Sequence, residues 1–346
     1  MKKINLNPHL FIFIFFIFFI FYIFLTKVES NKVFKLLIFD SQEGYPYNEV
    51  RVALLKSLRN FGYFEGKNLS IKQVFIGNDI DRGARILKEE IKNNYDVIVV
   101  GGTAATVAAK RALYGKSQPT VFASPTDPVG IGVIKDFESN PEANFTGVSY
   151  PVPVKARMKF IRQLMPNAKT FALIYADMPQ SHSYRAWLED LIKNDPEFRD
   201  IKIIFRSVPL VKGELGDIRM ANMAKKYIKE LDSLVDAYIK PCDQMGTRRY
   251  FSEVIYKNSK KPLIGLVKDD VVSGWGATAV VYPSHESIGE QASKMVVDIF
   301  NGKKVSEIKP EWPKKFGFAV DLKKAKKFGI TIPVEILQLS GENIVR

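Results

Sequence analysis

The sequence YDVIVVGGTAATVAAKRA, at residues 95–112, decides the fold. A largely apolar run at residues 96–100 stops at Gly101 and Gly102, and an alanine-rich helical pattern begins directly at Thr103. This order predicts a parallel strand, a tight turn and a helix that begins at the carboxyl end of the strand. The N–H groups and the dipole of such a helix favour an anion there. Since ligands of open α/β sheets bind outside the carboxyl ends of strands, the stretch also predicts a ligand site.

The same order of strand, polar turn and helix recurs along the chain. QPTVFASPTDPVGIG, at residues 118–132, gives a strand at 120–123 and then a polar loop at 124–128. Alternating strands and helices predict parallel sheets with right-handed crossovers. The predicted strands are 33–39, 70–75, 96–100, 120–123, 170–175, 201–205, 237–240, 262–267, 277–282 and 316–320. The predicted helices, besides the one at Thr103, are 49–61, 81–93, 155–164, 184–193, 218–231, 286–301 and 322–328.

The alternation runs twice, which predicts two Rossmann-like lobes with parallel sheets. We assign residues 31–149 and 277–309 to lobe one, and residues 150–276 and 310–346 to lobe two. The chain then crosses between the lobes three times, near residues 147–150, 274–276 and 309–313. Glycine, proline and tryptophan at these crossings suit a three-segment hinge.

The first 30 residues have the composition of a targeting segment. Lys2 and Lys3 precede the uncharged run LFIFIFFIFFIFYIFL at residues 10–25, which is the pattern of a secretory signal peptide. The run is slightly short for a membrane span of about 20 residues, but it is very hydrophobic. Residues 1–30 are therefore expected to be a cleaved signal peptide or a retained membrane anchor. In both cases the rest of the chain lies in the periplasm or on the extracellular face of the membrane.

Composition narrows the classes of function. The chain has one cysteine, Cys242, so an internal disulfide and a thiolate metal cluster are both excluded. The formal net charge is +14, but the basic residues are scattered and accompany no nucleic-acid-binding motif. The three histidines lie far apart in sequence and give no metal spacing. The dinucleotide glycine motif, the phosphate-binding loop and the hydrolase nucleophile motif are all absent. The sequence therefore predicts no enzyme, no cofactor and no metal.

Several segments together resemble a known family. They are GYFEGKN (62–68), GGTAATVAAK (101–110), PTVFASPTDPVGIG (119–132), NFTGVSYP (144–151), IGEQA (288–292) and FAVDLKKAKKFGITIP (318–333). Their order is similar to that of the ABC-transporter substrate-binding family that includes tryptophan-binding, TrpX-type proteins, over essentially all of residues 33–335. The resemblance implies the type I periplasmic-binding fold, in which two lobes close over a small ligand. It also implies delivery of the ligand to a membrane permease coupled to an ATPase.

An amino acid, aromatic or branched, is the ligand class that the family favours, and we expect a monomer. Such a ligand carries a carboxylate, which suits a helix N-terminus, and an ammonium, which suits a carboxylate side chain. The candidate contacts at strand ends are Gln42, Tyr45, Thr103, Ala104, Thr126 and Asp127 from lobe one, with Gln180, Ser181 and Asp243 from lobe two.

Structural explanations of the same residues stay open. Asp127 precedes a proline, and its whole role could be to shape a turn. Asp243 could cap a helix, and Tyr45 could be an exposed loop aromatic. The cleft loops also depart from the family, since residues 43–48 lack the family's His-Pro pair and residues 177–183 lack its Asn-Ser pair. Ligand identity therefore does not carry over. The alternative function is a receptor domain that reports a ligand to a membrane signalling protein.

Overall fold

The computed structural model describes residues 32–213 and 215–346, so the predicted leader lies outside the described residues. The first sheet has five strands in the order β2-β1-β3-β4-β5, and every neighbouring pair is parallel. Its strands are β1 (Phe34–Asp40), β2 (Leu69–Phe75), β3 (Val97–Gly101), β4 (Thr120–Ala123) and β5 (Phe145–Val148). We call this sheet with its helices lobe one, residues 32–148 and 285–308.

The second sheet has seven strands in the order β12-β11-β10-β9-β8-β6-β7. Its strands are β6 (Thr170–Ala176), β7 (Lys202–Val208), β8 (Ala237–Ile239), β9 (Leu263–Ile264), β10 (Ala279–Pro283), β11 (Phe316–Asp321) and β12 (Ile344–Val345). Only the β10–β11 pair is antiparallel. We call this sheet with its helices lobe two, residues 154–283 and 314–346.

Helices follow most strands, as the alternation predicted. They are α1 (Tyr47–Asn60), α2 (Ile80–Glu90), α3 (Thr103–Leu113), α4 (Pro128–Ile131), α5 (Val154–Leu164), α6 (Pro179–Asn194), α7 (Gly216–Leu231), α8 (Arg249–Asn258), α9 (Asp269–Val272), α10 (His285–Phe300), α11 (Leu322–Lys327) and α12 (Val334–Ser340). Short 3₁₀ turns lie at Ile91–Asn93, Pro196–Phe198 and Val305–Glu307. Within residues 32–213 and 215–346, no helix is long and apolar enough to cross a membrane.

One strand was assigned to the wrong lobe. The sequence placed residues 277–282 in lobe one, but β10 pairs with β9 and β11 in the second sheet. Only the helix after it, α10, returns to lobe one, where it packs on α1. The second crossing therefore lies between Pro283 and His285 and not at residues 274–276. The buried apolar run of β10 fits the interior of either sheet, so its pattern did not distinguish them.

The α1–α10 contact that attaches this return segment to lobe one depends on a glycine. A Cβ atom on Gly289 would lie 2.5 Å from the Val50 carbonyl oxygen and 2.6 Å from the Ala53 Cβ. Gly289→Ala should therefore force the two helices apart and lower the free energy of unfolding by about 1–3 kcal/mol, measured by urea denaturation. The exposed neighbour Glu290 supplies the control, because Glu290→Ala should change the free energy of unfolding by less than about 0.5 kcal/mol. Equal stability of Gly289→Ala and the wild type would show that the helices do not pack this closely.

The register of the first sheet aligns its strand ends. Asp40 is opposite Gly101, Gly101 is opposite Ala123, and Ala123 is opposite Val148. Because the strands are parallel, the loops that follow these four residues leave the sheet at one edge. The corresponding edge of the second sheet carries the loops after β6, β8 and β9, and the two edges face each other.

Candidate functional site

The N-terminus of α3 lies at the centre of the lobe-one edge. Gly102 precedes the helix with φ +83°, and a Cβ there would lie 2.4 Å from Cε1 of Tyr47 and 2.8 Å from Oγ of Ser41. Only glycine allows the Tyr47 ring to approach this closely. Ser41 Oγ accepts a hydrogen bond from the Ala105 N–H at 2.9 Å and so fixes the first turn of α3. The N–H groups of Thr103 and Ala104 have no acceptor within the helix, because they belong to its first turn.

A small cavity, the inner cavity, lies between the two lobes at this point. It encloses about 30 Å³, which is room for one or two water molecules. Lobe one and the first crossing contribute Pro46, Tyr47, Thr103, Ser124, Thr126 and Tyr150, and lobe two contributes Gln180, Cys242, Asp243, Gln244 and Thr247. Because both lobes supply polar side chains, this cavity changes size whenever the lobes move relative to each other.

A larger cavity of about 630 Å³, the outer cavity, adjoins the inner one. Thr103 and Gln180 line both cavities. The other residues around the outer cavity are Val107, Lys110, Arg111, Tyr114, Asp127, Gly130, Ile131, Pro179 and Ser183. Its volume is in the range of small-molecule sites, which is about 300–1,000 Å³.

The lobes touch each other around the inner cavity. Thr126 Oγ1 lies 3.7 Å from Cys242 Sγ, and Arg248 donates a hydrogen bond of 3.3 Å to the carbonyl oxygen of Glu43. Lys212 Nζ lies 3.7 Å from a carboxylate oxygen of Asp79 on the opposite lobe. These three contacts join residues of different lobes, so opening of the cleft would break all of them.

Gln244 is the most informative residue of the inner cavity. Its side chain is buried, with 3% of the residue exposed, yet neither its Nε2 nor its Oε1 has a hydrogen-bond partner. A buried amide without partners costs free energy, and native structures seldom leave one unsatisfied. Gln244 also lines the inner cavity, so its amide is a candidate contact for a polar group that enters there.

Asp243, beside Gln244, is already engaged in hydrogen bonds within lobe two. One carboxylate oxygen accepts from the Ala176 N–H at 2.8 Å and from the Ser181 hydroxyl at 3.0 Å, and the other accepts from the Gly246 N–H at 2.7 Å. Burial nevertheless raises the pKa of Asp243 to about 6, and these hydrogen bonds oppose the shift. Asp243 therefore joins α6 to the loop after β8, and at neutral pH it is mostly ionised.

The raised pKa of Asp243 gives a pH dependence that can be measured. The native carboxyl binds a proton more tightly than the unfolded one, so the stability that Asp243 contributes increases as pH falls from about 7 to about 4. Relative to Asp243→Asn, which cannot titrate, the gain should be roughly 2 kcal/mol in urea denaturation. Asp190→Asn, on the exposed part of α6, controls for the loss of a carboxylate and should not show this gain. A difference between wild type and Asp243→Asn that is constant over this pH range would contradict the shift.

Beneath the loop that carries Asp243 and Gln244 lies a fully buried ion pair between Lys240 and Asp270. Asp270 also accepts hydrogen bonds from the Ser252 hydroxyl at 2.7 Å and from the N–H groups of Leu266 and Val267 at 2.8 and 3.0 Å. Lys240 donates a further hydrogen bond of 3.1 Å to the carbonyl oxygen of Arg248, at the end of the loop. Burial lowers the pKa of Lys240, although Asp270 opposes the shift. The pair thus holds residues 241–248 in place.

Tyr45 lies at the hinge. Its ring is edge-on to Trp275 and His285, with centroids 5.7 Å and 5.4 Å away. His285 in turn bonds to Glu49 at 2.6 Å and to the hydroxyl of Tyr150 at 3.2 Å. Tyr45 thus packs on hinge residues, and it lines neither the inner nor the outer cavity.

The structure brings five of the nine predicted site residues to the cavities. Thr103, Thr126, Gln180 and Asp243 line the inner cavity, and Asp127 lines the outer one. Asp127 also caps α4 by accepting from the Gly130 N–H at 2.7 Å. The remaining four, Gln42, Tyr45, Ala104 and Ser181, line neither cavity.

Sequence reasoning did not select Gln244, Thr247 or Cys242, which all line the inner cavity. The sequence does contain a signal for Gln244 and Thr247, because residues 241–247 follow a predicted parallel strand and contain several polar side chains. Burial raises the pKa of the Cys242 thiol to about 12, so the thiol is protonated and unreactive while it is buried. In residues 32–213 and 215–346, no cluster of histidine, cysteine, aspartate and glutamate is suited to hold a metal ion.

Comparisons with known proteins show what family and what solved structures the chain is similar to. A family model described as ABC transporter substrate binding protein matches residues 42–344. A tyrosine-binding protein of Clostridioides difficile (strain R20291) is 24% identical over 284 residues, which are 82% of this chain and 77% of that protein.

Two solved structures are similar in fold. The ABC domain from Streptococcus pneumoniae in complex with L-Trp has a TM-score of 0.76 at 23% identity, covering 92% of this chain and 100% of that chain. The ligand-free, open structure of a substrate-binding protein with adhesive properties from Clostridium difficile has a TM-score of 0.67 at 23% identity, covering 90% of this chain and 98% of that chain. These likenesses confirm the predicted α/β fold with two lobes.

Proposed function

The chain belongs to the ABC transporter substrate-binding protein family, and from this premise we propose that it captures an aromatic amino acid between its lobes. Proteins of this family bind small solutes and work with an ABC permease; they are not enzymes, as the sequence predicted. Delivery of the amino acid to a permease driven by an ATPase, by a monomeric binding protein, is part of the proposal.

The observation that carries the proposal is the unpaired amide of Gln244 in a cavity that both lobes build. An α-amino acid has an ammonium donor and a carboxylate acceptor close together, and the Gln244 amide offers an acceptor oxygen and a donor NH₂ group. The first turn of α3, at Thr103, would take the carboxylate in addition, because its N–H groups and dipole favour an anion. Asp243 would add a negative charge near the ammonium.

The aromatic class has two supports. The relatives include a protein named for tyrosine and a structure in complex with L-Trp. The outer cavity also offers apolar surface next to Thr103 and Gln180, from Val107, Tyr114 and Ile131. In this arrangement the main-chain groups of the ligand lie in the inner cavity, and its side chain lies in the outer one.

Binding requires that the lobes move. The inner cavity has room for only one or two water molecules in the described arrangement, which is too small for the main-chain groups of an amino acid. An amino acid therefore enters when the lobes part, and the lobes then close around it with a larger inner cavity than the one described. The ligand shifts the population toward the closed form by as much as it prefers that form.

Calorimetric titration of the chain with L-tyrosine, L-tryptophan, L-phenylalanine, L-leucine, ribose and glucose tests the proposal. We expect at least one aromatic amino acid to bind and the sugars not to bind. At 100 times its dissociation constant, that ligand should also stabilise the protein by about 2.7 kcal/mol. Binding of a sugar with no binding of any amino acid would overturn the proposed ligand class.

We also propose that the chain works outside the cytoplasm, which is typical of its family. The leader predicted at residues 1–30 supports this location. Mass spectrometry of the protein purified from its native cells would test whether the leader is removed, since cleavage near residue 30 would leave a correspondingly shorter chain.

A further inference from the structure

One aromatic contact joins the two lobes outside both cavities. Tyr45, in the loop after β1, belongs to lobe one, and Trp275, just before β10, belongs to lobe two. Their rings are edge-on, with centroids 5.7 Å apart and an angle of 76° between the planes. The Tyr45 ring is also edge-on to His285, the first residue of α10. Since Tyr45 and Trp275 belong to different lobes, a rotation of one lobe against the other changes their contact.

Trp275 is fixed within lobe two. Lys240 Nζ lies 5.5 Å from the centre of the Trp275 ring, and Lys240 is itself held by its buried ion pair with Asp270. The N–H groups of Gly276 and Ala277, directly after the tryptophan, donate to the carbonyl oxygen of Asp270 at 3.2 and 3.0 Å. Trp275 therefore moves with lobe two as a rigid surface.

The loop that carries Tyr45 also contributes to the inner cavity. Two residues before Tyr45, the carbonyl oxygen of Glu43 accepts the hydrogen bond of 3.3 Å from Arg248 of lobe two. Directly after Tyr45, Pro46 and Tyr47 line the inner cavity. One short segment of lobe one thus touches lobe two and lines the candidate ligand site, so the contact of Tyr45 with Trp275 bears on the cleft without touching a ligand there.

The hydroxyl of Tyr45 is the unusual feature of this contact. It is buried, and among residues 32–213 and 215–346 it has no hydrogen-bond partner. Burial raises the pKa of Tyr45 well above its usual range, and Tyr150, Glu49, Asp269 and Asp270 raise it further. Because Glu49 belongs to lobe one and the two aspartates belong to lobe two, the hydroxyl lies between the lobes. Water hydrates this hydroxyl once the lobes part, whereas the described arrangement leaves it unsatisfied.

We propose that Tyr45 sets the balance between open and closed lobes, because its ring favours the closed arrangement and its unpaired hydroxyl opposes that arrangement. The packing of the ring on Trp275 and the desolvation of the hydroxyl are effects of similar size. Their opposition keeps the lobes able to open before a ligand arrives, and it sets how much of the ligand's binding free energy is used to close them. This balance presupposes the lobe motion of the proposed function, but it is independent of which ligand binds.

Labelling of Cys242 with a maleimide tests this balance in the full chain, refolded from urea and dialysed to remove any solute. The thiol is buried 3.7 Å from Thr126 of the opposite lobe, so the reagent reaches it when the lobes part. Tyr45→Phe keeps the ring and removes the hydroxyl, and it should slow the labelling about tenfold. Tyr45→Ala also removes the ring and should be labelled faster than Tyr45→Phe. The matched control is Tyr250→Phe, at a tyrosine of lobe two that is 43% exposed, which should keep the wild-type rate.

The dependence of the labelling rate on urea separates parting of the lobes from unfolding. Parting exposes little surface, so the rate in low urea should change much less than the unfolding constant does. A rate that rises as steeply as the unfolding constant, or no labelling of the folded wild type, would show that the lobes do not part and would overturn the lobe motion itself.

The remaining outcomes concern Tyr45 alone. If the lobes part but Tyr45→Phe is labelled as fast as the wild type or faster, the hydroxyl does not oppose closure, and the proposed balance is refuted while the lobe motion stands. If Tyr45→Ala is labelled no faster than Tyr45→Phe, the ring does not favour closure, and the balance is refuted from the other side.

Discussion

Gln244→Met is expected to weaken the binding of the proposed aromatic amino acid by roughly ten- to a hundredfold, because it removes the two hydrogen bonds that this ligand is proposed to make with the amide. The unliganded protein should be as stable as the wild type or more stable, since the amide it loses is buried and has no partner. Methionine keeps nearly the same volume, so no large cavity forms. Calorimetry measures the affinity, and urea denaturation measures the stability.

Gln118 provides the matched control for this substitution. It lies just before β4, where its Nε2 donates to the carbonyl oxygens of Tyr95 at 3.0 Å and Pro119 at 3.3 Å. Gln118→Met should therefore reduce stability by about 1 kcal/mol and leave the affinity unchanged. The role of Gln244 would be refuted if Gln244→Met bound the ligand as tightly as the wild type.

Asp270→Ala should cause the largest loss of stability, about 3–5 kcal/mol by urea denaturation. It leaves the charge of Lys240 buried without its partner and deprives the N–H groups of Leu266 and Val267 of their acceptor. The pKa of Lys240 is already lowered by burial, and it falls further once the carboxylate is gone. The native variant therefore binds fewer protons than its unfolded form, so its stability should rise as pH rises through the lowered pKa of Lys240.

Two further variants make this prediction specific. Asp269→Ala removes the neighbouring carboxylate, whose hydrogen bond to the Ser273 hydroxyl is exposed, and should cost less than about 1 kcal/mol. The double variant Lys240→Met/Asp270→Ala removes both charges and should recover part of the stability that Asp270→Ala loses. If Asp270→Ala were no less stable than Asp269→Ala, the buried pair would not stabilise lobe two.

The fold was largely predictable because its signals are local. The apolar run before Gly101 and the alanine-rich helix after it specify β3 and α3 wherever they lie in a chain. The partner of β10 was not predictable in this way, because a buried strand shows the same pattern beside any neighbour. Its antiparallel pairing with β11 depends on the return of a segment that lies 33 residues further along the chain, from Pro283 to Phe316.

The candidate site was predictable only in part, because the inner cavity forms where segments of the two lobes that are distant in sequence meet. Thr103 and Asp243 could be proposed from their places after strands. The unpaired state of Gln244 depends on how its loop packs in the folded protein, so no spacing in the sequence contains it. The two neighbouring tyrosines illustrate the same limit. Helix α1 begins at Tyr47, two residues before the predicted start. Tyr47 consequently lies against Gly102, whereas Tyr45 lies at the hinge.

The single cysteine of the chain allows the most direct test of capture by closure. Cys242 is buried at the contact between the lobes, 3.7 Å from Thr126, so a maleimide reaches its thiol only when the cleft opens. An aromatic amino acid at 100 times its dissociation constant should slow the labelling about 100-fold, because it lowers the population of the open, unliganded form by that factor. In the control Cys242→Ser/Ser70→Cys, the cysteine at exposed position 70 should be labelled at the same rate with and without the ligand. Calorimetry first establishes that the ligand binds. If such a ligand then left the labelling rate at Cys242 unchanged, the ligand would not be held between closing lobes.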